Sequence, residues 1–128
     1  MAFNASVLKF LDGIEFFNLL NSEGIEKAVN YFYMKRDSDP SLILFTEGEM
    51  NALGYSSLQT GKIKDAIALF KLNTIAYPNS GNAYDSLGEA YLADGQKELA
   101  LKNYEKALEL NPNNTNAQQV LKELKGTK

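Results

Sequence analysis

Several side chains of this 128-residue chain have types and spacings that could do chemistry. Glu105 and Glu109 stand one helical turn apart, as a carboxylate couple for acid–base work or cation binding would. The run Asp37-Ser38-Asp39-Pro40-Ser41 alternates oxygen donors in the manner of a calcium loop, and Ser56, Ser57 and Ser86 carry nucleophilic hydroxyls. The chemistry open to each is thin. The glutamates are flanked by Lys102 and Lys106 on a helix face expected to be wet, which reads as solvated charge. The acidic run lacks the turn glycine and closing glutamate that a calcium loop needs, and reads as a turn. The serines have no base to activate them, because the chain contains no histidine, and none sits in a G-x-S-x-G elbow. With no cysteine either, the usual zinc ligands, the commonest general base and every Ser-His or Cys-His pairing are missing. No catalytic, cofactor-binding or metal-ligating residue is therefore expected, and the chain reads as a binding protein rather than an enzyme.

Charge narrows the partner. Against 16 acidic residues stand 13 basic ones, a net charge of -3 with no block of consecutive lysines or arginines, so nucleic acid is not expected to bind. The opening segment MAFNASVLKFLDGIEFFNLL is apolar, but it has no basic leader, and Lys9, Asp12 and Glu15 interrupt it. Neither a signal peptide nor a membrane span is expected there. The default location is the cytoplasm, although the lack of cysteine fits either side of an inner membrane.

The tyrosines lead to the elements that would position any site. A stacking platform for bases or sugars is one use for seven of them, but Tyr84, Tyr91 and Tyr104 fall on positions of an internal repeat, where they read as packing. A shift of 34 residues superposes Leu53 on Leu87, Gly54 on Gly88, Gly61 on Gly95, Ala66 on Ala100, Phe70 on Tyr104 and Pro78 on Pro112. Each unit reads as helix, glycine turn, helix, proline. Gly88 and Ala100 are small where two helices must approach, while Tyr84, Leu87, Tyr91, Tyr104 and Leu108 fill the space between hairpins. Gly95 suits a left-handed helix end, and Pro112 cannot continue a helix. Thr46 with Glu49 makes a capping box, and Ser80 is a second N-cap. An offset of 38 residues aligns Ala28, Phe32 and Pro40 with Ala66, Phe70 and Pro78, which implies a degenerate first hairpin with extra residues around 37–44. Ala117, Val120, Leu121 and Leu124 form the stripe of a capping helix. Seven helices are expected, at about 6–20, 24–36, 46–59, 63–76, 81–94, 97–110 and 115–125, with no sheet.

The segment AYDSLGEAYLADGQKELALKNYEKALELNP resembles the tetratricopeptide repeat (TPR) consensus, with Tyr84 at the family's tryptophan position. The preceding unit is looser, with Met50 at that aromatic position, Ser57 for tyrosine and Asn73 for a small alanine. The resemblance implies an all-α, TPR-type α-solenoid of antiparallel helix hairpins in one domain. Its parts are a degenerate hairpin and loop (1–45), two repeats (46–80 and 81–114), and a capping helix with tail (115–128). A narrower likeness, in FKLNTIAYPNSGNAYDSLGEAYLADG, is to the TPR segment at the C-terminal end of bacterial serine hydrolases of the beta-lactamase-like and esterase kinds. It implies an appended or detached domain, periplasmic if the parent is exported.

In TPR proteins the first helix of each hairpin lines an inner groove. Here that resemblance assigns Asn51, Tyr55 and Gln59, then Asn82, Asp85 and Glu89, to the groove. Family co-chaperones that grip acidic tails use lysine, arginine and asparagine in that place, and the basic residues are missing. The expected ligand is thus a protein or peptide segment of basic and apolar character; a solvated, unoccupied face is the plainer reading. Two functions follow from these features: an interaction module, or a structural or regulatory domain of a serine hydrolase with no free ligand of its own. On the first helix Val7, Phe10, Leu11, Ile14 and Phe17 share one face, and Leu8, Phe16, Leu19 and Leu20 point elsewhere. Those four are expected to dock onto a hydrolase domain or a second copy, unless residues 37–45, with Leu42, Ile43, Leu44 and Phe45, cover them.

Overall fold

The computed structural model describes residues 4–126. Among them are seven α-helices and no strand: α1 (Ala5–Glu23), α2 (Ile25–Ser38), α3 (Glu47–Gln59), α4 (Ile63–Ala76), α5 (Gly81–Ala93), α6 (Lys97–Leu110) and α7 (Thr115–Gly126). The chain divides into two compact units, Met1–Thr46 and Glu47–Lys128.

In the first unit Asn4 caps α1, its Oδ1 accepting from Val7 N at 2.9 Å. The helix runs on to Glu23 and meets α2 with only Gly24 between them. Gly24 has φ 97° and ψ 174°, a region in which side chains are strained, so this joint requires glycine. After α2, Asp39 Oδ1 accepts from Ser41 N at 3.1 Å and from Ser41 Oγ at 2.6 Å, which makes the acidic run a side-chain-closed turn. The core is aromatic. The Phe45 ring lies 5.4 Å from Phe16 and is stacked 5.7 Å from Phe32, with Ala28 and Leu44 buried among them. Segment 39–46 crosses α1 at Gly13, where an added Cβ would stand 3.0 Å from the Leu44 carbonyl oxygen. Asp12 accepts from Tyr31 Oη at 3.4 Å and pairs with Lys35 Nζ at 3.1 Å, which fixes the side of α1 that meets α2.

These contacts invert the expected face of α1. Phe16, assigned above to an outward docking set, is 0% exposed, and Leu19 and Leu20 are half-buried. Only Leu8 of those four is exposed. Of the face with the greater apolar count, Val7, Phe10, Leu11 and Ile14 stand in water and Phe17 is half-buried. Fit decides the orientation: the Phe16 side also carries Gly13, which admits the crossing segment, and Asp12, which meets Tyr31 and Lys35. Leu44 and Phe45 do cover part of α1, while Ile43 remains exposed.

The second unit repeats the main backbone bonds of its two glycine turns. Gly61 (φ 81°) and Gly95 (φ 76°) both take the left-handed conformation. Lys62 N donates to Ser57 O at 2.8 Å, and 34 residues later Gln96 N donates to Tyr91 O at 2.9 Å. Each hairpin is closed by a glycine under a ring: Gly54 under Phe70, Gly88 under Tyr104. The core joins Ala66, Ile67 and Phe70 to Leu87, Ala90 and Tyr91, then to Ala100, Tyr104 and Ala107, and ends on Ala117 and Leu121 of α7. Ser80 caps α5, accepting from Ala83 N at 3.1 Å.

The two hairpins differ at one crossing. Where α6 approaches the start of α5, Ala107 faces Gly81 so closely that a Cβ on the glycine would lie 3.0 Å from the Ala107 carbonyl oxygen. The equivalent pair in α4 and α3 is Asn73 and Glu47. Asn73, fully buried, donates from Nδ2 to Glu47 O at 3.2 Å, and its Oδ1 has no hydrogen-bond partner.

Candidate functional site

Within the second unit, α3 and α5 bring four of the six expected groove residues into hydrogen-bonded order. Tyr55 Oη donates to Glu89 Oε2 at 2.6 Å. Ser86 Oγ lies 2.7 Å from Asn51 Oδ1 and 3.2 Å from Tyr55 Oη. A hydroxyl has one proton, so Ser86 divides it between these acceptors, with the shorter contact to Asn51 favoured. Burial pushes the Tyr55 phenol up to about 12, helped by the hydrogen bond to Glu89. Tyr55 is therefore a neutral donor to Glu89 at any physiological pH.

Asp85 is held from the other side. Asn114 Nδ2 donates to Asp85 Oδ2 at 2.6 Å and Asn116 Nδ2 to Oδ1 at 3.3 Å. The same Asn114 caps α7, its Oδ1 accepting from Ala117 N at 3.0 Å. The residue read as a ligand contact thus also ties α5 to the start of α7. The partners of Asp85 and Glu89 in these bonds are all neutral, so the bonds orient the carboxylates without cancelling their charge. The Tyr104 phenol, raised by burial and then by Asp85, Glu89 and Tyr55, responds to the same negative potential from beneath Gly88.

Gln59 and Asn82 are exposed on their helices and make no part of this network. Ser86, Asn114 and Asn116 join the network beyond the residues that the sequence assigns to it. In sequence Ser86 suggests only a nucleophile; for Asn114 a signal exists, since an asparagine just before a helix is a favoured N-cap. Neither α3 nor α5 contains a lysine or arginine. Away from this face, Glu109 pairs with Lys106 at 3.3 Å, as expected of solvated helix charge. No group of three or more metal-ligating side chains converges among the described residues, and no described helix is long and apolar enough to cross a membrane.

Comparison with known proteins places this geometry. Residues 81–114 match the family model for the tetratricopeptide repeat. Superkiller complex protein 3 of Mus musculus is 42% identical over 62 residues, which is 48% of this chain and 4% of that protein. The chain therefore spans only a small part of the curated relative. The solved structure described as the first TPR of Spaghetti (RPAP3) bound to the HSP90 peptide SRMEEVD is similar with a TM-score of 0.59 at 23% identity, covering 93% of this chain and 89% of that one. The Yersinia enterocolitica type III secretion chaperone SycD, solved with a peptide of the translocator YopD, gives a TM-score of 0.59 at 19% identity, covering 95% of each chain. The fold is an all-α helical solenoid of the TPR type.

Proposed function

We propose that the chain is a protein-interaction module that holds a basic and apolar peptide segment, extended or helical, on the face built by α3, α5 and the start of α7. The observation that carries this reading is the pair Asp85 and Glu89, oriented by neutral donors on a face whose two helices have no basic residue. Uncompensated carboxylates attract a cationic ligand and repel an acidic one. Tyr55 adds a half-buried aromatic ring, over whose face an apolar or guanidinium group packs. Fold neighbours of this type take peptides, and the peptide SRMEEVD of one of them is rich in carboxylates. The face described here has the opposite sign of charge to what such a tail needs, so the module separates from acidic-tail receptors by electrostatics.

The test is fluorescence anisotropy of the full chain with two labelled peptides, one of alternating arginine and leucine and one acidic. The arginine–leucine peptide should bind, with an affinity that falls as salt rises, and the variant Asp85→Lys, Glu89→Lys should lose that binding by tenfold or more. Preference for the acidic peptide, or indifference to the charge reversal, would overturn the reading. Binding of neither peptide would favour the alternative, a domain of a serine hydrolase with no free ligand.

A further inference from the structure

The helix α1 leaves a stripe of apolar side chains in water. Val7, Phe10, Leu11 and Ile14 recur at the three- and four-residue spacing of one helix face with Leu8 at its edge, and their exposures run from 36% to 68%. No charged residue lies in that set; exposed Asn18 continues the stripe and exposed Glu15 borders it. Such a patch measures on the order of 400 Å², the size of the largest apolar patch on an ordinary monomer, which is often functional.

We propose that this stripe is the seam of a homodimer in which α1 packs against α1 of a second copy, running antiparallel. An uncharged stripe is complementary to itself, which is the condition for a twofold interface made of one patch used twice. Two such patches with their borders would remove roughly 1,000 Å² from water, which meets the lower bound for a specific interface and sets the dimer among weak ones. The orientation follows from charge. A parallel pair would set Glu15 beside Glu15, and would align the two helix dipoles. An antiparallel pair centred between Phe10 and Leu11 sets Val7 opposite Ile14 and Phe10 opposite Leu11, and brings Glu15 level with residue 6.

Sedimentation of the full chain across the micromolar range tests this. The native sequence should show a concentration-dependent dimer, and the variant Phe10→Glu, Leu11→Glu should be monomeric with unchanged helical circular dichroism. If helicity falls in that variant, Phe10→Ser is read in its place. A native chain that stays monomeric throughout, its stripe then serving another domain or protein, overturns the proposal, as does a dimer that survives the substitutions. The chain has no cysteine, so orientation can be read by oxidation. Val7→Cys chains mixed with Ile14→Cys chains should cross-link more than either alone, and the reverse result overturns the antiparallel arrangement. Asp85→Lys, Glu89→Lys should leave the dimer intact, which keeps this outcome separate from that of the peptide experiment.

Discussion

Gly54 and Gly88 occupy the same place in two hairpins, yet they meet different rings. An added Cβ at Gly54 would overlap the Phe70 ring, whereas at Gly88 it would stand 3.0 Å from Tyr104 Cδ2 and Cε2; both rings are buried, so the difference lies in the room left above each. Replacing a helical glycine by alanine gains about 1 kcal/mol of helix propensity, and overpacking costs roughly 1 to 3 kcal/mol. Gly54→Ala should therefore lower the urea midpoint, while Gly88→Ala should leave it near the native value; equal shifts would mean that the two rings are equally free to move. Titration supplies a second expectation at this scale. The Tyr31 and Tyr55 phenols are both raised from 10.0 to about 12, chiefly by burial, so the folded state favours their neutral forms. The stability this contributes is complete below pH 10 and is lost as pH rises through about 12. Alkaline unfolding, followed by circular dichroism, should fall in that window, and Tyr55→Phe should make the decline shallower.

At the scale of elements, Asn114 serves two helices at once, capping α7 with Oδ1 and reaching Asp85 of α5 with Nδ2. Asn114→Ala should cost about 1 kcal/mol from the cap, with more from the lost contact. Asn114→Asp is the sharper probe, because it keeps the capping oxygen but sets a carboxylate against Asp85. It should destabilise at neutral pH, and Asp85→Asn in the same chain should restore most of the loss; a double-mutant cycle on urea midpoints measures the coupling, and simple additivity would deny the contact. What was legible in the sequence at this scale follows from how local each signal is. Gly61 and Gly95 announce their turns because left-handed backbone is a property of the residue itself. Ser80 announces its cap for the same reason. Periodicity misassigns the face of α1, because it counts apolar side chains and says nothing of what they meet. Phe16 is buried through Phe45, nearly thirty residues away, and through the space that Gly13 leaves for segment 39–46. The link of Asp85 to Asn114 was hidden likewise, since no spacing rule joins α5 to the residue before α7.

For the whole molecule, the two units differ in how much they bury. The first rests on Phe16, Ala28, Phe32, Leu44 and Phe45, while the second has a continuous core from Ala66 to Leu121. Regions with smaller cores open at lower free energy. Hydrogen exchange should show α1 and α2 exchanging by a lower-energy opening than α4, α5 and α6, with the change near Thr46; uniform protection would mean that the units unfold as one. Glu47 with Asn73, and Gly81 with Ala107, are two matched settings of the same crossing. A recombinant chain that exchanges one helix between hairpins would inherit half of each match. It would place asparagine against Gly81, where no room is left, and alanine against Glu47, whose carbonyl would lose the amide that serves it. Both members of each match lie inside a single hairpin, so viable crossover points fall after Pro78 and Pro112 rather than at the glycine turns.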